Sequence, residues 1–257
     1  CYFYEEIRMF WKNPDFDKVI NSRVIEWDIK SGNTSIMRAF NLCPIERIQE
    51  LEGMKKQDRV IAVGNMMKDS EFSKKLEAGF NQVVNEFIEL NELNKDDDVL
   101  RIMRDAVYVI NKPIKYDTIR EYCHFIPKNE YIGYFFLKPY EFFIGQHNID
   151  VKGIDDGKLA SHENGTLRVI RDVYDACVEY NMDQVKINAF MKGVVDAYIH
   201  RDLEFDAYRE FNNESIFRVN MYGHEVLSDA ITERDLPDVD ISFNYLKIII
   251  PLIKLLC

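Results

Sequence analysis

The most constraining feature of the sequence is an apolar strand pattern that ends in a carboxylate followed by a turn. Residues 23–29 read Arg-Val-Ile-Glu-Trp-Asp-Ile, and β-branched and aromatic residues of this kind favour a strand. Residues 30–33, Lys-Ser-Gly-Asn, form a turn signal. Asp28 is therefore predicted near the carboxyl end of a buried strand, where a carboxylate is costly to desolvate unless it meets a cation or hydrogen-bond donors.

Asp28 has two interpretations on this pattern. It could cap a helix that begins near Thr34, an ordinary role for an aspartate before a helix start. A second segment favours a ligand role, because residues 98–110 predict a β-hairpin with a polar break at Asp105. Its second strand, residues 106–110, is apolar throughout and is predicted to be covered on both faces. Two carboxylates on adjacent strands are the oxygen ligands that a pair of Mg²⁺ ions needs for phosphoryl transfer.

These two segments resemble the palm motifs of family B DNA polymerases. Asp28-x-x-Ser31 is similar to the first palm motif, in which an Asp, two residues and a Ser follow a strand. Asp105 with residues 106–109, Ala-Val-Tyr-Val, is similar to the second half of the Asp-Thr-Asp-Ser palm hairpin.

Two later segments extend the resemblance in the order that the family shows. Residues 128–133, Lys-Asn-Glu-Tyr-Ile-Gly, are similar to the Lys-Lys-Arg-Tyr-x-Gly segment that follows the palm hairpin. The pair Lys152-Gly153 is similar to the Lys-Gly pair that opens the thumb. The resemblance covers residues 23–155.

The resemblance implies an α+β fold, in which an antiparallel palm-like sheet covered by helices precedes a mainly helical thumb-like region. Residues 22–150 are expected to form the palm-like domain, with a short helical fingers insert at 44–68. Residues 1–21 are an aromatic-rich lead-in that reads as a helix and as the stub of a larger N-terminal part. Residues 151–257 are expected to form the helical thumb-like domain.

The resemblance also implies a site and its partners, namely Mg²⁺ or Mn²⁺, a nucleoside triphosphate and a primer–template nucleic acid. Asp28 and Asp105 are the expected catalytic metal ligands. The residues expected to meet the triphosphate are Lys30, Ser31, Gly32, Arg59 and Asn65. The residues expected to hold the primer–template are Lys128, Tyr131, Lys152 and Gly153.

The chain departs from the family pattern at several positions, and these leave other hypotheses open. Arg59 stands where the fingers helix carries Lys, and Met103 stands where a further Asp precedes the one matched by Asp105. A solvated basic helix face is the alternative for Arg59, and a turn tip is the alternative for Lys128. The chain could therefore be a catalytically inactive polymerase-like binding or assembly subunit of a viral or mobile-element complex. It could also be an unrelated α+β domain whose aspartates cap strand ends.

Composition limits the partners and the compartment. The net charge of −11 argues against a broad nucleic-acid-coating surface but leaves a local basic channel open. Five scattered cysteines without metal-ligand spacing, and no signal-peptide pattern, predict free thiols and a cytoplasmic location. The apolar run at 245–257 is too short to span a bilayer. It is predicted to be a packed terminal element, although this run and the N-terminal aromatic segment are also candidate protein-partner surfaces.

Overall fold

The structure, a computed structural model, describes residues 10–153, 165–200, 218–221, 224–227, 239–240 and 242–257. It has the mixed α+β architecture that the sequence predicts. In chain order the elements are β1 (Phe10–Lys12), β2 (Lys18–Val19), β3 (Val24–Ile29), α1 (Gly32–Ala39), α2 (Ile45–Gly53), α3 (Lys56–Met66), α4 (Ser70–Leu90), β4 (Val99–Met103), β5 (Ala106–Ile110), β6 (Thr118–Arg120), β7 (Cys123–Tyr131), β8 (Gly133–Leu137), β9 (Tyr140–Ile144), β10 (Ile149–Lys152), α5 (Gly165–Glu179), α6 (Gln184–His200), β11 (Arg218–Met221), β12 (His224–Leu227), β13 (Val239–Asp240) and α7 (Ser242–Leu256).

The chain divides into two compact units that are not consecutive in sequence. The first unit comprises Cys1–Asp15 and Arg23–Glu130, and the second comprises Phe16–Ser22 and Tyr131–Cys257. The division at 130/131 differs from the expected domain boundary at 150/151, because β8 and β9 pair with β2 and β10 in a separate sheet. The predicted lead-in, residues 1–21, is shared between the two units for the same reason.

The first unit is built on a six-stranded sheet with the order β1-β4-β5-β3-β7-β6. Strands β4 and β5 form the antiparallel hairpin that the sequence predicts, and β3 runs antiparallel to β5. In this register Asp28 lies opposite Ala106. The turn of the hairpin consists of Arg104 and Asp105, and Arg104 adopts a positive φ of 54°. The register therefore places Asp105 next to the end of β3.

Helices α1–α4 supply the other half of the hydrophobic core of the first unit. The core joins side chains of β3, β4, β5 and β7 to the apolar stripes of the four helices. Trp27 and Ile29 belong to this helix-facing core. Because side chains alternate along a strand, Glu26 and Asp28 project from the opposite face of β3.

Two local predictions are wrong in the first unit. Residues 10–12 form the strand β1, paired with β4, rather than a helix. Residues 127–130 continue β7, where Pro-Lys-Asn-Glu predicts a turn. The polar side chains of Lys128 and Asn129 find partners on β3, which accounts for a strand in so polar a segment.

The second unit combines a four-stranded sheet of order β10-β9-β8-β2, a three-stranded sheet of order β12-β11-β13, and helices α5–α7. The three-stranded sheet adds strands to a region that the sequence predicts as mainly helical. Side chains of α5, α6 and α7 share one core with β8, β9 and β10. The apolar C-terminal run packs there as a helix, with Ile249, Leu252 and Leu256 buried. None of the helices in the described ranges combines the length and the apolar character that crossing a bilayer requires.

Candidate acidic site at the tip of the β4–β5 hairpin

Asp28 and Asp105 meet at one end of the first sheet. Asp28 is the penultimate residue of β3, and the backbone N–H of Ile29 donates a 3.0 Å hydrogen bond to the carbonyl of Asp105. Asp28 does not cap α1, since the cap residue is Ser31, in a left-handed conformation with φ 53° and with no side-chain cap bond. The two predicted ligands therefore lie in one place, and the capping interpretation of Asp28 is wrong.

Asp105 lies against the start of α1. A Cβ atom placed on Gly32 would be 3.0 Å from Oδ2 of Asp105 and 3.1 Å from Cε1 of Phe80, so glycine lets the helix start approach the carboxylate closely. Burial first, and then the negative charge of Asp28, raise the pKa of Asp105, while the positive charges of Arg104 and Lys128 oppose that rise. Like charges in a confined space disfavour each other's ionisation, so a cation bound here would relieve a real electrostatic cost.

Lys128 brings a cation to the same place. Its Nζ is 2.8 Å from Oδ2 of Asp28 and 3.4 Å from Oε1 of Glu26. The other Glu26 oxygen, Oε2, accepts a 2.7 Å hydrogen bond from Nδ2 of Asn129. Burial lowers the pKa of Lys128, but the hydrogen bond to Asp28 and the charges of Glu26 and Asp28 outweigh it and raise that pKa. The ammonium group is therefore held in its charged form by acids on β3.

Glu26 is a site residue that the sequence reasoning missed. Its side chain is only 3% exposed, against 19% for Asp28 and 51% for Lys128. A buried carboxylate requires compensation by a cation or by donors, and Lys128 and Asn129 supply both. The available signal was its spacing, since a residue two positions before Asp28 lies on the same strand face.

Arg104 is a second residue that the sequence reasoning did not assign. Its guanidinium lies over the ring of Phe80, 4.8 Å from the centroid, and donates a 3.1 Å hydrogen bond to Oδ1 of Asn33. An Nη2–Sδ contact of 3.7 Å joins it to Met67, just after α3. These contacts tie the hairpin tip to α1, α3 and α4. The tip is thus held from several sides, as a site needs if its carboxylates are to keep a fixed geometry.

The predicted triphosphate-binding residues divide into two groups. The connection between β3 and α1 contains Lys30 and Ser31, and Gly32 is the first residue of α1. The backbone N–H of Lys30 donates a 2.9 Å hydrogen bond to the carbonyl of His124. Arg59 and Asn65 lie on α3. Within residues 10–153 no hydrogen bond or ion pair joins either of them to Asp28 or Asp105.

The predicted primer–template residues are also divided. Lys128 lies at the acidic site, whereas Tyr131, Lys152 and Gly153 belong to the second unit. Tyr131 is 1% exposed and its hydroxyl donates to Oδ2 of Asp150 at 2.6 Å. Gly153 has a φ of 87°, and a Cβ there would lie 2.2 Å from the Pro139 carbonyl oxygen, so only glycine fits. Both residues thus have structural roles, and their contacts with nucleic acid stay predictions.

The two aspartates at the hairpin tip are the groups that would bind a divalent cation. Among the described residues no group of three or more His, Cys, Asp or Glu side chains is arranged to hold a metal ion. Magnesium, however, keeps several waters and is commonly bound by one or two carboxylates together with substrate phosphates. Asp28 and Asp105 are the residues that would hold Mg²⁺ or Mn²⁺ at this place, where Asp28 is paired with the Lys128 ammonium.

The fold and the site define an α+β protein with a pair of aspartates at the tip of an antiparallel sheet. The family model described as bacteriophage PBS1 gene 130 protein matches residues 3–257. The chain therefore belongs to the bacteriophage PBS1 gene 130 protein family. A search of curated proteins found no match to the chain.

Proposed function

We propose that this protein is a template-directed nucleotidyltransferase of the DNA-polymerase type, with Asp28 and Asp105 as its metal-binding catalytic residues. One observation carries the proposal: two acids from distant parts of the sequence converge at one end of an antiparallel sheet. The raised pKa of Asp105 supports it, since carboxylates with shifted pKa values gather at functional sites more often than elsewhere.

In this proposal Asp28 and Asp105 provide the oxygen ligands for Mg²⁺ or Mn²⁺. When bound, the metal ion stabilises negative charge on the attacking and leaving oxygens of a phosphoryl transfer. The first turn of α1 has no acidic residue and no side-chain cap, so its backbone N–H groups suit the phosphates of a nucleoside triphosphate. Arg104 adds positive charge beside Asp105 and contributes to the same electrostatic environment.

The nucleic-acid partner in this proposal is a primer–template duplex, with a DNA or an RNA template. The expected contacts are those of Lys128, Tyr131, Lys152 and Gly153. The location proposed is the cytoplasm of a host cell. Membership of a phage family supports a viral setting, and the free thiols of Cys43, Cys123, Cys177 and Cys257 support a reducing compartment.

The test is primer extension with Mg²⁺ by the purified protein and by the variants Asp28→Asn and Asp105→Asn. Each variant is expected to lose about a thousandfold in rate, because a metal ligand contributes several kcal/mol to the transition state. Glu86→Gln is the matched control, since Glu86 is a partly buried carboxylate in an ion pair with Arg120. It should retain activity within about twofold. Undiminished extension by both aspartate variants would refute the proposal.

A second candidate function is a polymerase-like binding or assembly subunit without catalysis in a phage complex. The ion pair between Lys128 and Asp28 favours it, because a neutralised carboxylate is a poorer metal ligand. Thermal melting with added Mn²⁺ separates the two candidates. A rise in melting temperature that disappears in Asp105→Asn supports the enzyme, and the lack of any rise supports the assembly subunit.

A further inference from the structure

Lys128 is the charged group closest to the predicted metal ligand Asp28. At 2.8 Å from Oδ2, its ammonium is close enough to that oxygen to repel a divalent cation bound to it. Two cations cannot share one carboxylate oxygen at such short range without strong repulsion. A metal ion that binds Asp28 through Oδ2 must therefore displace Lys128.

Glu26 provides a place for the displaced ammonium. Its Oε1 is already 3.4 Å from Nζ of Lys128, so a short movement turns a long ion pair into a close one. Glu26 itself is fixed, because its side chain is buried and Oε2 is held by Asn129. The two acids on β3 thus offer Lys128 two adjacent partners, one at the metal site and one beside it.

We propose that Lys128 is the resident cation of the acidic site and competes with the divalent metal for Asp28, and that Glu26 is a positioning residue that receives Lys128 when the metal binds. The inference rests on the proposed function, because it takes Asp28 and Asp105 as metal ligands. Before metal binding, Lys128 balances part of the negative charge of the pair. A free metal ion therefore binds less tightly than it would in the absence of Lys128.

Titration of the protein with Mn²⁺, followed by the electron paramagnetic resonance signal of the free ion, measures this competition without any catalysis. Lys128→Met removes the competing cation and should bind Mn²⁺ about three to ten times more tightly than the unmodified protein. Glu26→Gln removes the carboxylate that would receive the displaced Lys128. This variant should therefore bind Mn²⁺ about threefold more weakly. A purely structural role would not move the two affinities in opposite directions.

Lys115→Met is the matched control, because Lys115 is a lysine of similar exposure paired with Glu92 at 3.1 Å. It should change the Mn²⁺ affinity by less than about twofold, which excludes a general effect of net charge. Lys128→Arg keeps the charge and should bind Mn²⁺ no more tightly than the unmodified protein. Lys128 is half exposed, so its variants keep the fold even if Glu26→Gln does not.

The outcomes separate this inference from the proposed function. If Asp28→Asn abolishes Mn²⁺ binding but Lys128→Met binds no more tightly than the unmodified protein, the competition is refuted and the metal site stands. If neither the unmodified protein nor Lys128→Met binds Mn²⁺, or if Asp28→Asn leaves binding intact, the metal site itself is refuted together with the competition.

Discussion

Two of the places in the first unit where acids and bases meet, the α4–β6 contact and the tip of the β4–β5 hairpin, are balanced differently. Glu86 on α4 and Arg120 on β6 form a one-to-one pair, with both carboxylate oxygens bonded by the guanidinium. The hydrogen bonds from Arg120 outweigh burial and hold the pKa of Glu86 below its ordinary value. At the hairpin tip, by contrast, burial and the neighbouring Asp28 raise the pKa of Asp105.

The contrast separates an ion pair that stabilises the fold from a cluster that costs stability. Glu86 gains by folding, since it acquires a cation without acquiring an acidic neighbour at the same distance. Asp105 loses by folding, since it is partly buried and placed beside another acid. Unfavourable arrangements of this kind persist at functional sites because an added ligand compensates them. Of these two places, the hairpin tip is therefore the one where a bound cation would relieve more unfavourable charge.

The largest expected effect concerns the aromatic ring beneath each arginine. Arg104 lies over Phe80, which is fully buried, and Arg120 lies over Phe40, which is half-buried. Phe80→Ala should lower the free energy of unfolding by about 3–5 kcal/mol, because it leaves a cavity under the hairpin tip. Phe40→Ala should cost about 2 kcal/mol, because part of that ring stays in water. Urea denaturation measures both losses. Equal losses would contradict the expectation that the more buried ring contributes more to stability.

A smaller effect is expected at the balanced pair. Arg120→Met should lower the free energy of unfolding at pH 7 by about 1 kcal/mol, the upper range for partly exposed pairs. The folded-state pKa of Glu86 is depressed, so the pair stabilises the fold above the pKa of an unfolded glutamate, and this contribution is lost as the pH falls through the folded value. The difference between variant and unmodified protein should therefore shrink in acid. If the difference in unfolding free energy does not change with pH, the stability lost in Arg120→Met comes from packing and not from the ion pair.

The smallest effect has the opposite sign and lies at the hairpin tip. The folded-state pKa of Asp105 is raised, so its ionised form destabilises the fold at pH values above that pKa, and the penalty is absent below the unfolded pKa. Asp105→Asn should therefore raise the free energy of unfolding at pH 7, in metal-free buffer, by roughly 0.5–1 kcal/mol. The gain should vanish in acid. Urea denaturation at two pH values checks it, and a loss of stability at pH 7 would contradict it.

The central part of the first unit could be predicted from the sequence because its signals are local. β-branched and aromatic residues mark β3 and β5, and the polar break between two apolar runs marks the hairpin tip. These signals predicted the strand that carries Asp28 and the hairpin that carries Asp105, which lies in its turn and not on a strand. The helical spacing of apolar residues predicts helices over 44–53, about 55–67 and 71–90, each within about a residue of α2, α3 and α4.

What sequence reasoning missed depends on partners that lie far away along the chain. Pro127, Lys128 and Asn129 have the composition of a turn, and only the acids on β3 make them part of a strand. Glu26 was overlooked because its role exists only once Lys128 and Asn129 are beside it. The boundary at 130/131 was missed because β2 has two residues and carries no strand signal of its own.

Strand β2 also has a consequence for the order in which the protein can assemble during translation. Lys18 and Val19 pair with Phe135 and Tyr134, so they leave the ribosome before the whole of residues 23–130 and must wait for β8. A fragment that begins at Tyr131 would lack this edge strand and the 3.0 Å hydrogen bond from Lys18 to the carbonyl of Leu255. The second unit therefore becomes complete only when β2 pairs with β8, and the long loop closed by that step makes it a slow one.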